Sequence, residues 1–388
     1  MSRLRFGVVG LGNMGSAHSR WIKEDDNRDF CLGAVCDVVP ALARKIGQEM
    51  GVEHFTDAQA MYDSGLIDAV LIAVPHYAHP VLAIRAARAG LHVLCEKPLA
   101  VTVGAARAMI AQCRKNKVAF GAMLQQRTKG VYMKMKEMVS AGKLGEVFRV
   151  QMTCSAWYRT QAYYESGAWR GTWDGEGGGI LLNQAPHSLD LFQWIGGMPR
   201  RVIATVGTRW HKIEVENTAN AICEYGGGKT GYIYATTAEM PGLDQLMVCG
   251  EKGTLIAQDG KLRFGKLRTP IRKHMFSCKE SFAKIGCDWQ DVTWKKELGG
   301  RHIAVIRAFA AHVLRGSPMI ATGAEAVNEL ELSNAIYLAG FNEQAVELPV
   351  DGRRIDSLIA RLEKERSSGK GQNLRARCAK ELKKLLRS

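Results

Sequence analysis

No apolar run in this chain approaches the roughly 18–20 consecutive residues that a bilayer-spanning helix needs, which excludes a helical membrane protein. The ten cysteines, at 31, 36, 95, 113, 154, 223, 249, 278, 287 and 378, include no Cys-x-x-Cys pair, and no His-Glu-x-x-His occurs. With neither ligand set present, no metal centre and no disulfide frame is expected. Cysteines scattered through apolar runs read instead as small core residues in a reducing compartment. The N-terminus enters an apolar run at once, with nothing that reads as a signal peptide, so the expected location is the cytoplasm. Internal repeats are absent and low complexity is confined to the tail, which excludes a repeat array.

What is present is an ordinary globular composition. The 388 residues, 46% hydrophobic and 23% charged, suffice for two domains at about 150 residues each. The net charge of +15 raises nucleic acid as a partner, but its distribution argues otherwise. Between Arg353 and Ser388 stand twelve Lys or Arg against four Asp or Glu, so over half of the excess lies in a tail. That tail is predicted as a helix over 355–365, a Ser-Ser-Gly-Lys-Gly break and a short basic amphipathic helix. It reads as a solvated appendage or subunit contact, or else as a contact for an acidic partner. Neither nucleic acid nor membrane is expected as a partner.

The most informative stretch is Phe6-Gly-Val-Val-Gly10-Leu-Gly12-Asn13-Met14-Gly15, an apolar strand running into Gly-x-Gly-x-x-Gly and a helix-compatible segment. Gly10 would make the tight turn, Gly12 would admit a pyrophosphate close to the backbone, and Gly15 would let helix and strand pack closely. The phosphates would sit at the helix N-terminus. The next strand ends in Asp37, 22 residues past Gly15, where an acid accepts from a ribose 2′-hydroxyl and repels a 2′-phosphate. The expected cofactor is NAD, although Arg44 and Lys45 lie close enough to soften that repulsion.

Through the first third, strands at 5–9, 30–36, 68–74, 92–96 and 118–124 alternate with helices at 14–24, 40–50, 79–89 and 103–116, which predicts a doubly wound parallel sheet. After a helix at 130–141, strands at 146–157, 201–210, 218–225, 229–237, 244–249 and 253–257 follow one another across Gly-rich turns, the pattern of an antiparallel sheet. Helices at 180–195, 301–315 and 324–340 are expected to cover one face of it.

Four stretches carry chemistry. Val74-Pro75-His76-Tyr77-Ala78-His79 and Glu96-Lys97-Pro98 end parallel strands at their carboxyl edge, where open α/β sheets bind ligands. A partly desolvated Lys97 has its pKa lowered and can serve as general base to an alcohol; the alternative is a solvated loop lysine. Pro98 would fix the backbone so that Lys97 points inward, with a cis bond as one way of doing so. Gly177-Gly-Gly leads into Asn183, His187 and Asp190, spaced to share one helix face, either lining a sugar site or forming a structural His187–Asp190 pair. Upstream, Trp157-Tyr158-Arg159 through Tyr163-Tyr164 to Trp169-Arg170-Gly-Thr-Trp173 gathers aromatics and arginines suited to stacking on sugar C–H faces, or else an interface loop.

Together these motifs resemble the glucose–fructose oxidoreductase and inositol dehydrogenase family (Gfo/Idh/MocA). The marks are the glycine turn, Pro75-His76-x-x-His79 in place of the usual Pro-Asn-x-x-His, Glu96-Lys97-Pro98, Gly142-x-Leu-Gly145, and Gly177-Gly-Gly followed by Asn183-x-x-x-His187-x-x-Asp190. The resemblance implies an α/β protein with a Rossmann domain at 1–125, an α+β domain with a large open, mainly antiparallel sheet at 126–365, and the basic tail at 366–388. It implies bound NAD, a carbohydrate substrate, and a homodimer or homotetramer joined through the open sheet.

Residue by residue, the resemblance makes Lys97 the acid/base and His187 its partner. It places Gly10, Gly12, Asn13, Met14, Gly15, Asp37, Val74, Pro75, His76, His79, Glu96, Lys97, Gln125, Trp169 and Arg170 around the cofactor. Lys97, Tyr158, Asn183 and His187 would meet the substrate. Inositol-type members usually carry Asp where this chain has Asn183; a neutral amide cannot relay a proton, so Asn183 should only orient a hydroxyl. The expected activity is NAD-dependent oxidation of a secondary ring hydroxyl, at C3, of a sugar or glycoside. Alternatives are a cyclitol or nucleotide-sugar dehydrogenase, a redox-neutral NAD-assisted cleavage or epimerisation, and a cofactor-retaining sensor.

Overall fold

The computed structural model describes residues 3–295, 298, 301–368 and 373–387, so the expected break in the tail lies partly outside them, at 369–371. The first sheet is built from β1 (Leu4–Val9), β2 (Phe30–Cys36), β3 (Glu53–Phe55), β4 (Ala69–Ile72), β5 (His92–Cys95) and β6 (Phe120–Ala122), in the order β3-β2-β1-β4-β5-β6. All its pairings are parallel. Its central strand β4, Ala-Val-Leu-Ile, is wholly buried, as expected of a strand covered on both faces. The crossovers are α1 (Asn13–Glu24), α2 (Pro40–Met50), α3 (Ala58–Asp63), α4 (Ala78–Arg88) and α5 (Val103–Lys115).

A 3₁₀ turn at Gln125–Thr128 and α6 (Gly130–Ser140) lead into the second half. There follow β7 (Val147–Cys154), α7 (Gln161–Glu165), α8 (Pro186–Gly196), β8 (Arg201–Gly207), β9 (Thr218–Gly226), β10 (Lys229–Thr236), β11 (Asp244–Gly250), β12 (Gly253–Gln258), β13 (Lys261–Leu267), α9 (Ile271–Ser277) and β14 (Cys287–Asp291). The chain then forms α10 (His302–Arg315), α11 (Gly323–Asn342), β15 (Val346–Glu347), α12 (Gly352–Arg366) and α13 (Leu374–Arg387). The nine-stranded second sheet runs β14-β13-β12-β11-β7-β10-β9-β8-β15, antiparallel except for β7 with β10. In β9, Ala219, Ala221 and Cys223 are buried while Ile222 points out, and α11 and α8 pack on the neighbouring strands β8 and β7. Tyr232, Ile222 and Ile203 stand opposite one another on β10, β9 and β8, an exposed apolar row across the open face.

Two placements differ from expectation. The helix expected at 301–315 on the second sheet, α10, packs on the parallel sheet instead: Phe309 lies 6.0 Å from Phe6, and Val305, Ile306 and Ala310 share that core. Gly121 leaves the room Phe309 occupies, since a Cβ there would fall 2.9 Å from its ring. The basic tail helix α13 is docked, not free. It lies on α4, with Arg85 paired to Glu381 at 2.5 Å and Arg88 donating to the Leu385 carbonyl.

At its other end α13 meets the loop before the glycine run. The Leu374 and Arg375 amides donate to Asp174 at 3.1 and 2.9 Å, and Ser368 donates from its amide to Glu214 at 2.6 Å. Glu214 in turn accepts from the Trp173 amide at 3.0 Å. Deleting 366–388 therefore strips both carboxylates of partners worth about 0.5–2 kcal/mol each. The expected result is a lowered Tm and a KM raised several-fold in steady-state assays; unchanged values would make the tail an appendage after all.

All ten cysteines are free, six of them buried. Among the described residues, no helix is long and apolar enough to cross a membrane and no cluster of side chains suits a metal ion.

Candidate active site

The glycine turn after β1 has the geometry of a dinucleotide cradle. Gly10 takes φ +86°, and a Cβ there would lie 2.4 Å from the Ala73 carbonyl oxygen. A Cβ on Gly15 would fall 1.6 Å from the Gly10 oxygen, so helix and strand meet only because both are glycine. In front of Gly12 nothing lies within 4 Å, and as the residue preceding α1 it offers no side-chain cap. The first-turn N–H groups are thus left for an anion, and the residues fit a dinucleotide. Asn13 and Met14 are exposed on that first turn.

Asp37, at the end of β2, accepts from the Leu11 amide at 2.7 Å and the Val39 amide at 2.9 Å, which fixes its carboxylate beside the turn. Replacing Asp37→Ser together with Val38→Arg should move the NADP-to-NAD preference by about tenfold or more, roughly 1.4 kcal/mol. Titration with both cofactors measures it, and an unmoved ratio would show that Asp37 does not meet the ribose.

Beyond the turn, β4 ends in Val74 and Pro75, both partly buried, and then His76 and His79, both buried. His76 Nδ1 donates to the Glu176 carbonyl at 2.9 Å, and burial with its cationic neighbours drops its pKa to about 3. His79 is fully enclosed, its two ring nitrogens 2.9 Å from the Pro98 and Val74 carbonyls, so it ties the β4 loop to the β5 loop from behind. At the end of β5 the Lys97–Pro98 bond is cis. Buried Glu96 pairs with His18 of α1 at 2.7 Å; burial pushes its carboxyl up, yet His18, His302 and Lys97 hold it at about 2. His18 is a site neighbour that the glycine motif hid: it lies three residues past Gly15 on the same helix.

Lys97 Nζ donates to the Asn183 carbonyl at 2.7 Å, and burial lowers its pKa below the ordinary lysine value. His187 stands at the start of α8, where Pro186 occupies the first turn. Gln125 Nε2 lies 3.1 Å from His187 Nε2, and with that amide nitrogen donating the ring proton sits on Nδ1. That Nδ1 is enclosed and has no partner among the described residues, and a substrate hydroxyl would satisfy it. Burial and the Lys97 charge keep the imidazole neutral, with a pKa of about 3.

The alternative His187–Asp190 pair does not form. Asp190 instead takes a bidentate bond from Arg127, at 2.7 and 2.8 Å, and a third from Gln193 at 2.9 Å. Asn183 also sits outside the helix expected from 180, in the turns before Pro186. Its side chain donates to Glu176 Oε1, while the Gly171 amide donates to Oε2 at 2.6 Å.

Glu176 is the residue that sequence reasoning passed over. It is 1% exposed, and burial raises its pKa to about 7 despite those donors. A lone acid immediately before Gly177-Gly-Gly was the available signal. Trp169 meets His76 edge-on at 6.0 Å, and Arg170 lies over both Trp169 and Tyr163. Tyr158 stands apart: its ring is 45% exposed and makes no hydrogen bond or ring stacking among the described residues. Tyr163, not singled out beforehand, takes the inner place, its hydroxyl 3.2 Å from the Gln184 amide and 3.4 Å from that of Asn183.

Comparison with known proteins agrees with this geometry. Residues 4–123 match the family model described as an oxidoreductase family with an NAD-binding Rossmann fold, and residues 132–256 match the GFO/IDH/MocA C-terminal domain. The chain is 28% identical over 263 residues to the myo-inositol 2-dehydrogenase of Thermotoga maritima, covering 66% of this chain and 75% of that one. It is 30% identical over 216 residues to the levoglucosan dehydrogenase of Pseudarthrobacter phenanthrenivorans, covering 54% and 55%. The crystal structure of the WlbA dehydrogenase of Bordetella pertussis with NADH and UDP-GlcNAcA superposes with a TM-score of 0.76 at 26% identity, over 90% of this chain and 100% of that one. The chain belongs to the Gfo/Idh/MocA family of NAD-binding oxidoreductases.

Proposed function

We propose that this protein is an NAD-dependent dehydrogenase that oxidises a secondary ring hydroxyl, at C3, of a sugar or glycoside, with Lys97 as the acid/base. The observation that carries the reading is the Lys97 ammonium at the mouth of the parallel sheet, 2.7 Å from the Asn183 carbonyl and facing neutral His187. Bound NAD supplies the hydride acceptor. Lys97, with its proton shed, takes the hydroxyl proton as the C–H bond breaks. His187 donates from Nδ1 to a substrate oxygen, and Asn183, a neutral amide locked by Glu176, orients a neighbouring hydroxyl. The glycine turn and Asp37 hold the adenosine diphosphate end, while Pro75, His76 and Trp169 border the nicotinamide end. The assembly we infer is a cytoplasmic homodimer or homotetramer through the Tyr232–Ile222–Ile203 row.

Because Lys97 must be unprotonated for oxidation, kcat/KM should rise with pH to a plateau, with its midpoint below the ordinary lysine value of 10.5. His187 and His76, neutral down to about pH 3, add no limb above pH 5. A pH series on any substrate checks this, and a flat profile from acid to alkaline pH would remove Lys97 as base.

The activity itself is tested by incubating the protein with NAD and a panel of free sugars, methyl and aryl glycosides, inositols and UDP-sugars. NADH formation with a product two mass units lighter supports the dehydrogenase and names its substrate. Conversion without NADH points to a closed redox cycle, and no conversion throughout defeats the enzymatic reading.

A further inference from the structure

Resting on that reading, we propose that the substrate carries an anionic group, a carboxylate or a phosphate, bound by Arg159 and Arg170 around the Tyr163 ring beside the reacting hydroxyl. Arg159 follows β7 and Arg170 precedes the glycine run, yet their guanidinium carbons come to 4.8 and 4.5 Å from the same Tyr163 ring centre. The Tyr163 hydroxyl reaches the side-chain amides of Asn183 and Gln184, and the Asn183 carbonyl accepts from Lys97. An anion held by either guanidinium therefore lies one ring and one amide away from the base.

Neither cation has a carboxylate in hydrogen-bond contact among the described residues. Arg159 Nη1 donates only to the Tyr158 carbonyl at 3.0 Å, and its Nε is enclosed without any hydrogen-bond partner. Arg170 Nη1 donates to the Tyr163 hydroxyl at 2.6 Å. Neither forms an ion pair among the described residues, whereas other partly enclosed arginines, Arg85, Arg107 and Arg375, each hold a carboxylate. A guanidinium has five donors in a rigid fork suited to a carboxylate or phosphate, and leaving it desolvated and unpaired is costly.

The nearby acid does not fill the gap. Both oxygens of Glu176 are already taken, by Asn183 and Gly171, and its raised pKa leaves it largely uncharged below neutrality. Arg170, which the resemblance sets beside the cofactor, makes no contact with the Gly10–Gly15 turn among the described residues, and neither does Arg159. A neutral sugar closing over this site would strand two cations, while an anionic one would gain charge-assisted bonds, about twice as strong as neutral ones.

Calorimetry on the NAD-loaded protein at low ionic strength tests this with D-glucuronate, D-glucose 6-phosphate and D-glucose as probes. At least one anionic sugar should bind about tenfold more tightly than glucose or better, with the advantage shrinking as salt is added. Which anion wins separates carboxylate from phosphate. Arg159→Gln should erase the advantage and Arg159→Lys restore part of it, with NAD affinity in each variant reporting intact folding. Glucose binding as well as both anions, or a preference that survives Arg159→Gln, overturns the proposal. NADH formation with neutral sugars and no anion preference would sink this inference alone; anion preference with no oxidation of any sugar would sink the dehydrogenase reading alone.

Discussion

Lys97→Ala should cut turnover by about 10²–10⁴-fold or more while leaving NAD affinity within a few fold. On the proposed reading the two readouts separate, because Lys97 would act on the hydroxyl proton whereas the glycine turn and Asp37 would hold the dinucleotide. The substitution removes one of the cations beside Glu96, but His18 and His302 remain to hold that carboxylate, and the shell should therefore tolerate it. His187 is a poor replacement as base, because burial and the neighbouring Lys97 charge drop its pKa to about 3 and leave it a weak proton acceptor. Arg is no substitute either, since its guanidinium does not deprotonate in the working range. Loss of NAD binding together with activity would make Lys97 a structural residue, and retained activity would place the base elsewhere.

The second large effect is on stability. Arg127→Ala should cost about 3–5 kcal/mol, because it leaves a buried carboxylate without its cation. Both side chains of the Arg127–Asp190 pair are 1% exposed, and the pair joins the 3₁₀ turn carrying Gln125 to the helix carrying His187. Burial already raises the Asp190 pKa against the pull of Arg127. In the variant that rise grows, so folding favours the protonated acid, and the deficit should narrow as pH falls from 7 toward 5. An apolar pair, Arg127→Met with Asp190→Leu, should recover most of the loss. Thermal unfolding of the three proteins across pH measures all of this, and an Arg127→Ala variant as stable as the parent would contradict it.

Local pattern made much of the fold legible. The strand at 30–36 and the helix at 40–50 appear with the boundaries expected, because an apolar run ending before Asp37 and Pro40 at a helix start are local signals. The cofactor turn was legible for the same reason: three glycines and Asp37 carry its geometry within one unit. What periodicity could not supply was the destination of an apolar face. The α10 stripe was visible, but only Phe309 meeting Phe6, some 300 residues away in the chain, puts it on the parallel sheet. A highly charged helix such as α13 reads as solvated until Asp174 is seen accepting from its first amides.

The site divides along the same line. Lys97, Asn183 and His187 stood in motifs, but their partners come from far away: Gln125 reaches His187 across 62 positions and Arg127 reaches Asp190 across 63. The spacing of Asn183, His187 and Asp190 suggested one helix face, whereas Pro186 starts the helix late and turns Asp190 toward Arg127. Tyr158 and Tyr163 were equally aromatic on paper, and only the short helix α7 decides that Tyr163 faces Asn183. Strand β13 and edge strand β14 were not expected, although Lys261-Leu262-Arg263-Phe264 alternates polar and apolar as a half-buried strand does.

The most direct test of the central claim is transfer of the carbinol hydrogen itself. Methyl glucoside, or the glycoside that the panel selects, is labelled with deuterium at C3 and turned over with unlabelled NAD, and both products are examined by mass and NMR. The account predicts one deuterium on the nicotinamide ring of released NADH and a C3 ketone two hydrogens poorer than its unlabelled parent. Deuterium kept in the sugar product, with no NADH released, would contradict a net dehydrogenase and leave a closed redox cycle in its place.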